Sequence, residues 1–524
     1  MKIKARQSLY INCEDLESFT DWNEVCKMSL TIDVRAKLGR LHKIQGGACV
    51  NWELLNTQTR NMEEIGLKLT RVDMSLDRMV TKGQDGKLKI NFERSDRMLE
   101  GLTAMGLQPI VILSYMPECM SVDPEKYLKV GAKQTSDLEH AGAQIRNILP
   151  PADYSEWEEL IYKVVRRYNV EKGLGSFIRW ELWNEPDVPG FWAGEWQDFI
   201  RLYEATARGA LRADSNVRIG GPAVAYVSWC KSQVEDFLSY CSAHSIPIDF
   251  LTWHDYCRTW KYFETPDIHF RHIMMVEIAS MRTLAAKYGY RPELIIDEWN
   301  YAVPCVTEND SLHNAIYCAE FLHIIQEEGL DQTVCQFIDP LPSSVPPIWL
   351  MPEQQGLEDQ KISAYGMCGL ITHDGVLKPA YNVFKMHNML AEAKVEASTF
   401  DLPFEIVAAI DEKDERFTLL MWSKQPSKVE TNYEQLLTLK VPPMKSNSNV
   451  NFDLKVIGLP SEKKVRVRHY LIDETHSNGY NDKKRQTLEC VDERFVQSTD
   501  EFKMRVELPF WSVSLLEIDW KSRA

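Results

Sequence analysis

Two glutamates hold most of the chemistry that this sequence can offer. Glu185 lies in the run W-E-L-W-N-E-P, and Glu298 lies in I-I-D-E-W-N. Pro186 has no amide hydrogen to give a sheet ladder, so Glu185 must fall at the C-terminal end of its strand. Two carboxyls facing each other over a pocket can break a glycosidic bond. One protonates the leaving oxygen. The other attacks the anomeric carbon from roughly 5–5.5 Å away, and the product keeps its anomeric configuration. The acid must keep its proton near neutral pH, which burial or a nearby negative charge achieves by raising its pKa.

These positions need a scaffold that brings distant strand ends together. Eight short apolar runs alternate with helical patterns: 44–50, 67–74, 108–115, 177–186, 216–223, 247–256, 293–300 and 333–340. Such alternation implies βαβ units and a parallel sheet whose strands are buried on both faces. Eight units predict a closed (β/α)₈ TIM barrel, whose active site lies at the C-terminal ends of the strands. Glu185 then ends the fourth strand and Glu298 the seventh, on opposite sides of the mouth. Between strands four and five, Trp196, Phe199, Ile200, Tyr203, Ala207 and Leu211 recur at helical spacing. This stripe is read as the packing face of an outer helix.

Past residue 400 the period changes to two. RFTLLMWS (416–423), LLTLKVPP (436–443), KVRVRHYLID (464–473) and KMRVELPF (503–510) alternate with polar turns, as in an accessory antiparallel β-sandwich domain. The opening MKIKARQSLYIN also alternates and could add a strand there. The expected division is a catalytic barrel over 31–394 and a sandwich over 395–524 joined by 1–30.

Composition removes other classes. With 76 acidic against 60 basic residues the net charge is −16, so nucleic acid is not the expected partner. No run of 18 apolar residues exists to span a membrane, and no secretory leader is visible at the start, so a cytoplasmic protein is expected. The 12 cysteines form no C-x-x-C pair and read mostly as reduced, buried thiols. The histidines show no H-E-x-x-H spacing, and no G-x-S-x-G or P-loop occurs. No metal or cofactor is expected, since two carboxyls suffice. Gly46-Gly47 lacks the pattern of a dinucleotide site; a tight turn or a close approach to ligand is the reading. Assembly into a homo-oligomer is left open.

WELWNEPDVPGFW (180–192) resembles the acid/base motif of glycoside hydrolase family 39, which includes β-xylosidases and α-L-iduronidases. VRIGGPA (217–223), DFLTWHDY (249–256), GLITHDGVLKPAYNVFKMHNML (369–390), LIDETHSN (471–478) and PFWSVSLLEID (509–519) are similar to later parts of that family, in order. The resemblance implies Glu185 as acid/base and Glu298 as nucleophile. It implies that Asn184 bonds the sugar 2-hydroxyl, that His254 and Tyr256 orient the nucleophile or the sugar, and that Arg71 lies beneath the nucleophile. Trp183 and Trp299 flank the catalytic positions, and aromatic faces suit the C–H face of a sugar.

Two departures stand out. Asp73 occupies the position, two after Arg71, where the family usually has a histidine that meets the sugar. The family's Tyr-Trp-Thr-Phe run on strand eight is replaced by CQFIDPLP (335–342), where Phe337 stands in for the tryptophan. The expected activity is double-displacement hydrolysis of a terminal glycosidic bond in a glycoside or oligosaccharide. A β-D-xyloside comes first; an α-L-arabinopyranoside or α-L-iduronide is the alternative. An iduronide would need a cation for its carboxylate, for which Arg258 is a candidate. A carbohydrate-binding barrel without turnover is the remaining class.

Overall fold

The structure is a computed structural model that describes residues 28–41, 46–48, 52–124, 147–225, 227–258, 270–302, 307–339, 366–398, 402–423 and 449–521. The opening run 1–12 and the expected strand 436–443 lie outside the described residues. Two N-terminal strands, β1 (Ser29–Asp33) and β2 (Lys37–Arg40), come first. The barrel then begins with β3 (Gly46–Ala48), α1 (Thr59–Glu64) and β4 (Leu69–Asp73). A hairpin of β5 (Val80–Lys82) and β6 (Leu88–Ile90) precedes α2 (Glu93–Ala104). Next are β7 (Gln108–Leu113), α3 (Tyr154–Val165), β8 (Arg179–Leu182), α4 (Trp196–Ala213), β9 (Ile219–Val224) and α5 (Val227–Ala243). The barrel is completed by β10 (Phe250–Arg258), α6 (Phe270–Lys287), β11 (Glu293–Ala302), α7 (Leu312–Glu327), β12 (Gln332–Gln336) and α8 (Pro379–Met389).

The eight strands close in the order β3-β4-β7-β8-β9-β10-β11-β12, and β12 pairs back to β3. This is the (β/α)₈ barrel expected from the eight apolar runs. Leu69, Ile110, Phe250, Ile295 and Val334 fill the barrel interior as a separate cluster. The larger cluster lies between strands and helices and holds Phe199, Ile200, Tyr203 and Ala207 of α4. Leu211, at the end of that stripe, is exposed instead. Gly46 serves strand packing and not a ligand: a Cβ there would stand 2.7 Å from the Thr333 carbonyl of the neighbouring strand.

Downstream of α8 the chain becomes all β. The strands are β13 (Ala393–Val395), β14 (Phe404–Asp411), β15 (Arg416–Ser423), β16 (Asn449–Ile457), β17 (Lys464–Ile472), β18 (Glu489–Gln497), β19 (Glu501–Pro509) and β20 (Val513–Asp519). A seven-stranded sheet, β18-β17-β20-β15-β14-β13-β2, covers a three-stranded one, β1-β16-β19. By strand pairing, residues 29–40 and 393–395 therefore belong with these sheets.

Period-two alternation on β15 explains how the sandwich meets the barrel. Phe417, Leu419 and Met421 point into the sandwich core. Leu420 and Trp422 point the other way and join the barrel's helix layer. The Trp422 indole donates to Glu320 of α7 at 2.7 Å. All seven cysteines whose side chains are described are free thiols, and four of them are buried. No described helix is long and apolar enough to cross a membrane.

Candidate active site

The first carboxyl is set by a sharp exit from β8. After Leu182, Trp183 and Glu185 both take left-handed backbone, with φ of 68° and 47°. Non-glycine residues hold this conformation only where their surroundings impose it, and such strain gathers at functional sites. Two contacts impose it here. The Glu185 amide donates to the Ala223 carbonyl at the end of β9, 2.9 Å away. The Trp183 indole donates to Phe191 O at 2.8 Å, and its ring meets Trp192 and Tyr115 edge-on at 5.1 and 5.2 Å. Trp183 is fully buried and anchors the turn, so it does not offer its face to a sugar.

The second carboxyl is set by a bulge. Trp253 on β10 pairs with Ile296 on β11, but His254 pairs with Glu298. Asp297 is thus the extra residue, and a bulge of this kind re-aims side chains beside a site. Both Asp297 and Glu298 reach Arg71 as a result. His254 and Tyr256, two apart on β10, share the inward face.

Arg71 on β4 is the hub. Its Nε lies 2.7 Å from Glu181 Oε2 and 2.7 Å from Asp297 Oδ2. Its Nη1 donates to Glu298 Oε2 at 3.2 Å and its Nη2 to Asn184 Oδ1 at 3.0 Å. The Tyr256 hydroxyl donates to the other Glu298 oxygen at 2.6 Å. His254 Nδ1 lies 2.8 Å from Glu185 Oε1. One donor atom each from Glu185, His254 and Glu298 lie within 4.8 Å of one another. The imidazole is engaged by the Glu185 carboxyl at 2.8 Å, so the three form a hydrogen-bonded set around the pocket. With an oxygen of each carboxyl within 4.8 Å, the pair is closer than the roughly 6.5–9.5 Å gap that makes room for an attacking water.

The two carboxyls differ in surroundings. Burial pushes the Glu185 carboxyl up to about 7, against the opposing charge of Arg71. Burial also draws His254 down to about 4, although Glu298 opposes it, so the imidazole is neutral at physiological pH. Tyr256 is held far above the ordinary phenol range by burial and by the Glu298 charge, so it stays a donor. Burial disfavours the charge of Arg71, but Asp297, Glu181 and Glu298 outweigh it and its pKa rises.

Of the residues expected from sequence, Arg71, Asn184, Glu185, His254, Tyr256 and Glu298 come together. Asp73 ends β4 nearby, half-buried, and its Oδ1 accepts from the Ser75 amide at 2.7 Å and from Ser114 Oγ at 3.3 Å. It braces the loop after its strand. Two expectations are corrected. Trp299 is fully buried, stacked on Phe321 at 3.8 Å and near Phe384 at 5.8 Å, because the residue after an inward Glu298 faces the helices. Phe337 is likewise buried in the strand–helix layer, against Gly47, and does not replace a sugar-facing tryptophan. The side chain of Arg258 lies outside the described residues. Glu181 and Asp297 were not anticipated. A second acid four residues before Glu185, and an acid adjoining Glu298, were the available signals.

Comparison with known proteins gives the family of the chain. The model of glycosyl hydrolases family 39 matches residues 44–496. A beta-xylosidase from Caldicellulosiruptor saccharolyticus is 26% identical over 416 residues, 76% of this chain and 78% of that protein. The crystal structure of a monomeric beta-xylosidase from Caulobacter crescentus superposes with a TM-score of 0.74 at 19% identity, over 94% of this chain and 99% of the other. The family 39 enzyme from Xanthomonas axonopodis pv. citri gives 0.72 at 20% identity, over 94% and 97%. With the family model spanning most of the chain from β3 to β18, this chain belongs to glycosyl hydrolases family 39.

Proposed function

We propose that this glycoside hydrolase removes a terminal sugar with retention, with Glu185 as acid/base and Glu298 as nucleophile, and that the sugar is a β-D-xyloside. The carrying observation is the asymmetry of the two carboxyls at a separation suited to double displacement. Glu298 accepts from Arg71 and Tyr256, two donors that favour its ionised form. Glu185 is buried and holds its proton to about pH 7, ready to protonate the leaving oxygen.

In the first step Glu298 attacks the anomeric carbon while Glu185 delivers its proton to the departing oxygen. The Glu298 charge disappears into the ester. Glu185, now ionised beside neutral His254, takes a proton from water, and that water releases the sugar from Glu298. Asn184 accepts from Arg71 on its Oδ1, which leaves its amide nitrogen as the donor for a sugar 2-hydroxyl. The xyloside assignment follows the relative named as a beta-xylosidase that aligns with 76% of this chain at 26% identity.

The test is a panel of aryl glycosides: β-xyloside, α-L-arabinopyranoside, β-glucoside, β-galactoside and α-L-iduronide, each with wild type and Glu298→Gln. Turnover of the β-xyloside that vanishes in the variant is expected. Sugar binding without turnover on any substrate would place the protein among binding barrels. A second expectation concerns pH. With a poor leaving group, kcat/KM should fall above about pH 7, as Glu185 loses the proton it must donate. The limb should weaken with a dinitrophenyl leaving group, which departs without help. The same limb for both leaving groups would assign the titration to another residue.

A further inference from the structure

Beneath the catalytic pair lies a buried acid that the mechanism above does not use. Asp297 is the bulge residue of β11, and neither it nor Glu181 has any exposed surface. Both reach the same nitrogen, Arg71 Nε, at 2.7 Å. That nitrogen carries one hydrogen, which goes to Glu181 Oε2. Asp297 therefore receives none from it. Neither Asp297 oxygen finds a donor, and Glu181 Oε1 is equally orphaned. The two carboxyls are also within hydrogen-bonding reach of each other. Two dry anions at that range repel, and both would be short of donors. One proton between them removes the repulsion and supplies the missing donor.

Resting on the reading of Glu185 and Glu298 above, we propose that Asp297 is a positioning residue that shares one proton with Glu181, so that this pair holds Arg71 with a single negative charge and presents His254 with a neutral carboxyl. The groups facing Asp297 are Arg71 from β4, Glu181 from β8, His254 from β10 and Glu298 from its own strand. Glu185 and Asp187 lie beyond His254, and both bear on that histidine. Burial, with the charges of Glu181 and Glu298, pushes the Asp297 carboxyl far above its ordinary range against the pull of Arg71. Asp297 Oδ1 stands 3.9 Å from His254 Nε2, the imidazole nitrogen that has no hydrogen-bond partner. A second anion in this place would lift the pKa of Glu185 further. The shared proton leaves Glu185 titrating near neutrality.

Infrared spectroscopy tests the proton directly. In Glu185→Gln, which removes the acid's own signal, a protonated-carboxyl C=O stretch that shifts in D₂O is expected at pH 7. It should appear in the difference between E185Q and E185Q/D297N, where the signal of buried Asp339, whose carboxyl is also pushed up to about 7, cancels. A difference spectrum without the band overturns the proposal. If the double variant does not fold, E185Q/E181Q reads the same proton, because a glutamine amide donating to Asp297 leaves that carboxyl ionised. The band does not depend on turnover, so a failure of the hydrolase reading and a failure of this one are separable.

Kinetics give the second readout. Asp297→Asn keeps a neutral donor and should hold the basic limb of kcat/KM in place. Asp297→Leu keeps neither donor nor acceptor and should lose on the order of tenfold or more in kcat/KM, as when the support of a site residue is removed. A basic limb displaced downward by about one pH unit in Asp297→Asn would show that Asp297 acts as an anion, and would sink the proposal.

Discussion

Glu298→Ala should lower kcat on an aryl β-xyloside by on the order of ten thousand-fold or more, and sodium azide should restore much of it. Removing a nucleophile costs on this scale because the remaining site only binds and polarises. The rescue has a structural basis. Truncation at Glu298 frees a space into which Arg71 Nη1 and the Tyr256 hydroxyl both point their hydrogens. A small anion can occupy that space and attack from the side that the carboxylate used. With no second displacement, the product is a glycosyl azide of inverted anomeric configuration. Proton NMR of the azide product decides the matter. A retained azide would mean that another group still forms the covalent intermediate, and Glu298 would lose its role. Loss without rescue would point to a collapsed pocket, which Glu298→Gly, with more room, should then relieve.

The same two strands show what sequence could and could not reveal. The barrel was legible because its buried strands read as continuous apolar runs and its helices carry a stripe, as in α4. The end of β8 was legible through Pro186, whereas β11 runs on to Ala302, four residues past Glu298. Facing was not. A parallel strand buried on both sides has no polar face to mark its inward residues, so Trp299 and Phe337 could not be told from platform residues by type. The structure turns both into the helix layer. The bulge at Asp297 is a second blind spot. One extra residue changes which side chains point inward beyond it, and no composition cue marks it. Glu181 was hidden for a related reason: four residues before Glu185 on an extended strand, it enters the barrel below the mouth and meets Arg71 from beneath. The β15 pattern was the easiest to read, because a sheet with two different apolar faces still obeys period two.

Glu185→Ala should split substrates by their leaving groups. For an alkyl xyloside or a disaccharide, kcat/KM should fall by roughly a thousandfold, within the usual 10²–10⁴ contribution of a general acid. For a dinitrophenyl xyloside, whose leaving group needs no proton, kcat/KM should fall far less. Its kcat should still drop, because the same residue activates water to release the sugar from Glu298. KM should fall with it as glycosyl-enzyme accumulates. Azide sharpens the contrast with the nucleophile variant. Once Glu185 is gone, azide can attack the glycosyl-enzyme from the leaving-group side without base assistance, so turnover should rise and the azide product should be retained. The Glu185 site also predicts that the variant has no basic limb near pH 7, since the carboxyl that burial holds to that range has been removed. His254 cannot replace it as an acid, because burial keeps the imidazole neutral down to about pH 4. Equal losses on poor and good leaving groups, or an inverted azide from this variant, would exchange the two roles. The site would then have to explain how a carboxyl bonded to both Arg71 and Tyr256 keeps its proton, which its donors oppose.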